Sequence, residues 1–170
     1  RAGLPTVFVR LTGCPLRCTW CDTEYAFSGG ETRTLGDVLI EVAKHGARQV
    51  CVTGGEPLAQ KACLPLLKAL CDAGYSVSLE TSGALDIAAV DALEMGPIII
   101  GGKSMGGRVA SMVADNLYTS SRVIGLLCLG YPFHPPAKPN QLRTPHLADL
   151  RTPTLIVQGT RDAFGTREEV

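Results

Sequence analysis

The sequence has little that would direct it to a nucleic acid or a membrane. Its 16 lysines and arginines are balanced by 16 aspartates and glutamates, so there is no excess charge to attract a polyanion or an anionic surface. Aromatic residues make up only 5% of the chain, and no apolar run approaches the length of a membrane span. We therefore expect neither a nucleic acid nor a membrane among its partners.

A secretory segment is not recognisable either, although the chain contains seven cysteines. An odd cysteine count without such a segment argues against a disulfide framework and favours a reducing, cytoplasmic compartment. The 170 residues are the size of one ordinary domain, and 45% hydrophobic residues are typical of a globular α/β chain with a buried sheet.

Three of the cysteines stand close together. Cys14, Cys18 and Cys21 have the spacing CxxxCxxC and follow a β-rich stretch. Three thiolates can hold a soft-metal centre and leave one coordination position open, which a reactive centre needs. A structural zinc site would need a fourth cysteine or histidine nearby, and the nearest histidine is His45. The spacing therefore favours an iron–sulfur cluster over zinc.

Predicted strands and helices alternate through the first half of the chain. Strands are predicted over residues 6–11, 49–53 and 75–81. Helices are predicted after each of them, from a capping box at residues 34–37, along an apolar face over residues 59–70, and from a cap at Asp86. Such alternation predicts parallel strands with right-handed crossovers, which places the cysteines at the carboxyl edge of a sheet.

Two further segments are predicted to share that edge. Residues 53–57 read Thr-Gly-Gly-Glu-Pro just past the second strand, and residues 80–83, which read Glu-Thr-Ser-Gly, end the third. Paired glycines let a backbone approach a ligand closely, although an ordinary turn has the same composition. Their position beside the cysteines favours a ligand site.

Together these residues resemble a known family. The cysteine spacing, with Trp20 before the third cysteine, is similar to the radical S-adenosylmethionine (SAM) superfamily. The wider segment over residues 4–23 resembles the 7-carboxy-7-deazaguanine synthase family of queuosine biosynthesis. The resemblance covers about residues 1–92, implies part of an incomplete barrel, and leads us to expect a further family segment before Arg1.

The resemblance implies a role for each matching residue. The three cysteines would bind a [4Fe–4S] cluster whose fourth iron chelates SAM. SAM would be contacted by Trp20, Asp22 and Gly55, Mg²⁺ by Thr23, and the substrate by Arg10 and Thr53. Read without the family, Arg10 would be a surface strand residue and Thr23 an ordinary turn residue.

The implied reaction is that of a lyase acting on a small pterin-like molecule. One electron would cleave SAM, and the resulting radical would start the ring contraction of 6-carboxy-5,6,7,8-tetrahydropterin. The implied partners are an electron donor such as flavodoxin or ferredoxin and a second copy in a homodimer.

The second half carries a different signal. A predicted apolar strand runs into Gly102-Lys103-Ser104-Met105-Gly106 and then into a helix with Val109, Met112 and Val113. This GxSxG pattern is typical of a nucleophile elbow. A phosphate-binding loop is excluded because its first glycine position holds Pro97.

The second half resembles the C-terminal half of a small α/β-hydrolase family. In it Ser104 would be the nucleophile and Asp162, after a predicted last strand, would orient a histidine. The family places that histidine after the aspartate, so we expect it beyond Val170. His134 and His146 precede Asp162 and are expected to be loop residues.

We therefore expect an α/β fold that joins two fragments near residues 92–96. Residues 1–94 would be a radical-SAM-like partial barrel and residues 95–170 an α/β-hydrolase-like fragment, their parallel βα units meeting in one mixed sheet. Three functions stay open: a radical SAM enzyme, a serine hydrolase, and a non-catalytic chimera.

Overall fold

The computed structural model describes residues 3–19, 21–93 and 96–169. The chain divides into two compact units, Arg1–Met95 and Gly96–Val170. Each unit contains its own three-stranded sheet, and every strand pairing in both sheets is parallel. The predicted α/β class with parallel βα units is confirmed.

The expectation of one mixed sheet is wrong for the described residues. The first sheet has the order β1-β2-β3 and the second has the order β4-β5-β6, and no strand of one pairs with a strand of the other. In both sheets, strands that are adjacent in sequence are also adjacent in space. The helical crossovers of each half therefore connect strands within the same sheet.

The first sheet consists of β1 (Thr6–Leu11), β2 (Gln49–Gly54) and β3 (Ser76–Leu79). Helix α1 (Leu35–Lys44) connects β1 to β2, α2 (Cys63–Asp72) connects β2 to β3, and α3 (Ala88–Asp91) is a single turn after β3. The capping box predicted for α1 is confirmed, because Thr34 and Asp37 exchange side-chain to backbone hydrogen bonds. Three strands do not close a barrel in the described part of the chain.

The two faces of the first sheet differ in polarity because side chains alternate along a strand. Val50 and Val52 of β2 are fully buried among apolar residues of α1 and α2, in one core cluster. The opposite face carries Cys51 and also Arg10 of β1, which is in register with Thr53 of β2. One face therefore stabilises the unit, and the other is left to carry polar groups to the edge of the sheet.

The second sheet consists of β4 (Ile99–Lys103), β5 (Gly125–Leu129) and β6 (Thr154–Val157). Helix α4 (Met105–Thr119) connects β4 to β5 and packs on one face of this sheet. That core contains Ala110 and Ala114 of α4, Leu126 and Cys128 of β5, and an edge-to-face pair of aromatic rings, Tyr131 and Phe133, whose centroids are 5.0 Å apart.

The buried face of α4 consists of small residues rather than of its larger apolar ones. Val109, Met112 and Val113 are all exposed, whereas small residues at other positions of the helix are buried. Small side chains let α4 approach β4 and β5 closely, and an added Cβ on Gly107 would lie 2.7 Å from the Gly102 carbonyl oxygen. Among the described residues no helix is both long and apolar enough to cross a membrane.

Candidate functional site

The carboxyl ends of β1, β2 and β3 surround a cavity of about 440 Å³. Parallel strands end at the same edge of a sheet, so the three following loops meet there. The residues that line the cavity are Arg10, Cys14, Leu16, Cys18, Cys21, Asp22, Thr23, Phe27, Thr53, Gly54, Gly55, Glu80, Thr81 and Ser82.

The structure brings together nearly every site residue predicted for the first half. All three predicted cluster cysteines line this cavity, and so do Asp22, Thr23, Gly55, Arg10 and Thr53. Trp20 lies outside the described residues. The roles given to these residues stay predictions, but their common location is a property of the fold.

The loop that carries the cysteines is held by its own polar groups. The Arg17 guanidinium donates hydrogen bonds to the carbonyl oxygens of Cys14 and Leu16, at 2.6 Å and 2.7 Å, and lies 4.4 Å from the centroid of the Phe27 ring. The Thr23 amide donates to the Cys21 sulfur at 3.4 Å. These contacts keep the loop compact over the end of the sheet.

The glycine pair at the end of β2, Gly54 and Gly55, is required by a close approach of backbones. An added Cβ on Gly55 would lie 2.3 Å from the Gly13 carbonyl oxygen and 2.9 Å from the Cys14 Cβ. The Gly55 amide donates to the Leu11 carbonyl at 3.1 Å. The glycine pair therefore makes room for the cysteine loop itself, in addition to any ligand.

One polar row crosses the sheet at the cavity edge. Arg10 of β1 is in register with Thr53 of β2, whose hydroxyl donates a hydrogen bond of 2.8 Å to Glu80 after β3. The Arg10 guanidinium also lies 5.6 Å from the centroid of the Tyr25 ring. Glu80 was expected only as part of a third segment, and the individual residue could have been found from its position one residue after β3.

The three cysteine thiols line one space but do not converge on a single point. Within the described ranges, no three His, Cys, Asp or Glu side chains converge on one metal ion. A four-iron cluster is larger than an ion, and three thiolates would each bind a different iron of it, so its ligands have to surround a space rather than a point. The three thiols are free, half-buried and line one cavity.

The second unit contains the strand–turn–helix of a nucleophile elbow. Ser104 lies between β4 and α4 with φ +52° and ψ −121°, a strained conformation for a non-glycine residue. An added Cβ on Gly102 would lie 2.3 Å from the carbonyl carbon of Gly106. The turn is therefore tight enough to demand glycine at its first position.

Ser104 and Asp162 flank the same strand end. The Ser104 amide donates to the Leu129 carbonyl at 2.8 Å, and Asp162 Oδ2 lies 3.4 Å from where a Cβ would stand on the next residue, Gly130. Asp162 Oδ1 accepts a hydrogen bond from the Phe164 amide at 3.0 Å. The serine and the aspartate thus reach one edge of the sheet.

The histidines of the second unit have other partners. His134 is only 3% exposed, and its ring nitrogens lie beside two oxygen atoms, Nδ1 at 2.8 Å from the Pro135 carbonyl and Nε2 at 3.2 Å from Glu169 Oε2, so the protonated ring can donate to both. His146 Nε2 lies 2.9 Å from the Ser111 hydroxyl, which also donates to the Arg108 carbonyl at 2.7 Å. In the part of the chain that the structure describes, no hydrogen bond joins Ser104 to a histidine.

Comparison with known proteins gives a different family for each half of the chain. Residues 8–101 match the radical SAM superfamily and residues 78–170 match an alpha/beta hydrolase domain. Curated relatives include 7-carboxy-7-deazaguanine synthases from Thermoplasma acidophilum (47% identical, over 51% of this chain and 41% of the relative) and Koribacter versatilis (46% identical, over 52% and 40%). A third, from Chlorobaculum tepidum, is 47% identical over 53% of this chain and 41% of the relative.

The chain spans about two fifths of the length of the curated relatives it matches. Each family match covers more than half of the chain, and the two overlap over residues 78–101. The chain belongs to the radical SAM superfamily through residues 8–101 and to the alpha/beta hydrolase domain family through residues 78–170.

Proposed function

We propose that the first unit is a radical SAM site of the 7-carboxy-7-deazaguanine synthase type, on a chain that joins it to a hydrolase-like piece. Residues 1–94 would be the partial barrel and residues 95–170 the second fragment. The observation that carries this proposal is the single cavity shared by the three thiols, Arg10 and Thr53.

Membership of the radical SAM superfamily implies a [4Fe–4S] cluster and SAM as cofactors. Cys14, Cys18 and Cys21 would hold the cluster, while Asp22 and Gly55, with Trp20, would contact SAM. When bound, these cofactors supply one-electron reduction and hydrogen-atom abstraction. The protein holds the thiols at a half-buried edge and closes the cavity with the turns after β2 and β3.

The polar row fits a carboxylated substrate such as 6-carboxy-5,6,7,8-tetrahydropterin. Arg10 would bind its carboxylate through charge-assisted hydrogen bonds, with Thr53 beside it. The Thr23 hydroxyl donates its hydrogen to Asp22 Oδ1 at 2.6 Å, which leaves its oxygen lone pairs free for Mg²⁺. A flavodoxin or ferredoxin would supply the electron, and the working form would be a homodimer.

Anaerobic reconstitution of the full chain tests this proposal. We expect bound iron and sulfide in a ratio near one, and 5′-deoxyadenosine after addition of SAM and a reductant. Cys18→Ala should lose most of the iron, whereas Cys71→Ala, a half-buried helix cysteine outside the cavity, should retain it. Equal iron contents in the two variants would contradict the assignment.

A second candidate function is a serine hydrolase, and the strained turn at Ser104 favours it. Labelling of the full chain by a fluorophosphonate probe, absent in Ser104→Ala, would support it. If the wild-type chain takes neither the probe nor a cluster, the non-catalytic chimera is the remaining interpretation.

A further inference from the structure

Glu56, in the turn after β2, is a charged residue with no exposed surface at all. A carboxylate is rarely buried unless its oxygens are fully hydrogen-bonded. Here Oε1 accepts from the Leu58 amide at 3.0 Å and from the Thr81 hydroxyl at 2.9 Å. Oε2 accepts from the Ser82 amide at 2.8 Å and the Ser82 hydroxyl at 2.5 Å, and the Thr81 hydroxyl lies 2.9 Å from it as well.

These contacts occupy the four lone-pair positions of the carboxylate. Glu56 therefore has no acceptor left for a ligand, and it does not line the cavity. Thr81 and Ser82 do line it, and they are 25 and 26 residues away along the chain. The carboxylate thus links the turn after β3 to the turn after β2 from behind the cavity wall.

The hydroxyls extend the network through the second turn. Thr81 Oγ1 accepts from the Gly83 amide at 3.2 Å, and Ser82 Oγ accepts from the Ala84 amide at 3.3 Å. Each hydroxyl donates its hydrogen to Glu56, so each hydroxyl oxygen is oriented to accept a hydrogen bond from the amide two residues later. Glu56 consequently fixes the whole turn 81–84, and not only the two residues that it contacts.

The charge of Glu56 persists at neutral pH. Burial pushes the pKa of Glu56 upward, but the hydrogen bonds from Ser82, Leu58 and Thr81 together outweigh burial and hold the pKa below its usual value.

We propose that Glu56 is a positioning residue that preorganises the third-strand wall of the cavity for SAM. The proposal rests on the proposed function for the identity of the ligand, but the locked turn does not depend on it. Because the wall is fixed before binding, loss of the carboxylate should weaken ligand affinity without removing any cluster ligand. This separates Glu56 from residues that touch the cofactor.

The first experiment uses hydrogen exchange in the full chain without cofactors. In Glu56→Gln, an amide NH₂ replaces one acceptor oxygen and faces the hydrogens of Ser82 or Thr81. We expect the amides of Ser82, Gly83 and Ala84 to exchange roughly ten- to a hundred-fold faster, the range that follows from one buried donor left unpaired. Glu41→Gln, at a half-exposed position of α1, is the matched control and should leave these amides unchanged.

The second experiment measures SAM affinity in the reconstituted chain, from the change that SAM makes in the electron paramagnetic resonance spectrum of the reduced cluster. Glu56→Gln should bind SAM roughly ten- to a hundred-fold more weakly with unchanged iron content, as found for residues that orient ligands from a second layer. Ser82→Ala, which removes one hydroxyl and keeps the amide, should have a SAM affinity between those of the wild type and Glu56→Gln. It also provides the test if Glu56→Gln fails to fold.

Three outcomes decide the matter. Unchanged exchange at Gly83 and Ala84 in Glu56→Gln and Ser82→Ala overturns the proposal, and so does faster exchange with unchanged SAM affinity. If the variants loosen the turn while the wild-type chain binds no SAM, the locked turn stands and the proposed function fails.

Discussion

The two units differ in how much of a site each one assembles. In the first unit, side chains from three strand ends surround one cavity. In the second, the elbow places Ser104 beside the same strand end as Asp162, but the described histidines are committed to Glu169 and Ser111. One unit therefore shows a complete wall of candidate ligands, and the other shows two of the three groups that a triad requires.

The difference follows from how local each site is. The cysteine loop, the glycine pair and the turn after β3 follow consecutive strands of one sheet, so three βα units are enough to bring them together. An elbow is even more local, since β4, one turn and α4 form it. A triad, by contrast, takes its members from loops far apart in sequence. The strain at Ser104 is maintained by local contacts, namely the close packing of Gly102 on Gly106 and the hydrogen bond from the Ser104 amide to the Leu129 carbonyl.

Gly54→Ala should have the largest effect on this comparison. Gly54 has φ +148°, and an added Cβ would lie 1.9 Å from the Leu11 carbonyl oxygen. Overpacking and backbone strain together should cost about 4 kcal/mol of unfolding free energy in the first unit. This loss of unfolding free energy can be measured from hydrogen exchange of the β2 amides as a function of denaturant concentration.

The control for this change is Gly36→Ala in α1. There an added Cβ meets only the Thr34 hydroxyl at 3.9 Å, so the helix should gain about 0.5–1 kcal/mol. Similar losses in the two variants would mean that the close approach at Gly54 is not what holds the cavity together.

Gly102→Ala and Gly106→Ala should have opposite effects on the stability of the second unit, although both glycines belong to the elbow. A Cβ on Gly102 would collide with the backbone of Gly106, at a cost of about 3 kcal/mol. A Cβ on Gly106 meets nothing within 4 Å, and the residue lies in α4, so this variant should be about 0.5–1 kcal/mol more stable than wild type. Urea unfolding of the second unit distinguishes them, and equal stabilities would show that the turn opens in solution.

The sequence predicted the local features of this fold well and the long-range ones poorly. The strand over residues 6–11 and the capping box at Thr34 are confirmed, because alternation and caps are local signals. Helix α2 begins at Cys63 rather than at Ala59, because the chain first makes a 3₁₀ turn, Pro57–Ala59, whose Leu58 amide donates to Glu56. The separation of the sheets had no local signal.

The sequence also could not predict the function of Glu56. In the pattern Gly-Gly-Glu-Pro the glycines attract attention, and the glutamate could be a solvated turn residue. Its partners Thr81 and Ser82 lie on another strand end, and only the parallel pairing of β2 and β3 brings them within hydrogen-bonding distance. A common edge was predictable, but the burial of one carboxylate there was not.

Thr53→Val should lower the unfolding free energy of the first unit by less than the glycine substitutions that create backbone collisions. Valine keeps the shape of this buried threonine but removes the hydrogen bond to Glu80. Since Glu80 is exposed and can accept from water, we expect a loss of about 1 kcal/mol in unfolding free energy. The exposed Thr32→Val is the control, and a loss of equal size there would show that the row across the sheet contributes nothing.

The smallest effect should appear in the second unit, as a dependence of its stability on pH. The Pro135 carbonyl raises the pKa of His134 most, burial opposes this, and Glu169 adds to the rise. The Thr166 amide and then His134 lower the pKa of Glu169. The stability due to His134 is therefore fully present below its usual pKa of about 6.5 and is lost as the pH rises through its folded value. The stability due to Glu169 is present above its usual pKa and is lost as the pH falls through its folded value.

Urea midpoints between pH 6 and 9 should decline for the wild-type chain. Glu169→Gln should shift this decline to lower pH because the imidazolium of His134 loses its carboxylate partner. The neighbouring, exposed Glu168→Gln should follow the wild-type curve. If Glu169→Gln also follows the wild-type curve, the hydrogen bond between His134 and Glu169 does not stabilise the second unit, and His134 is not committed to Glu169.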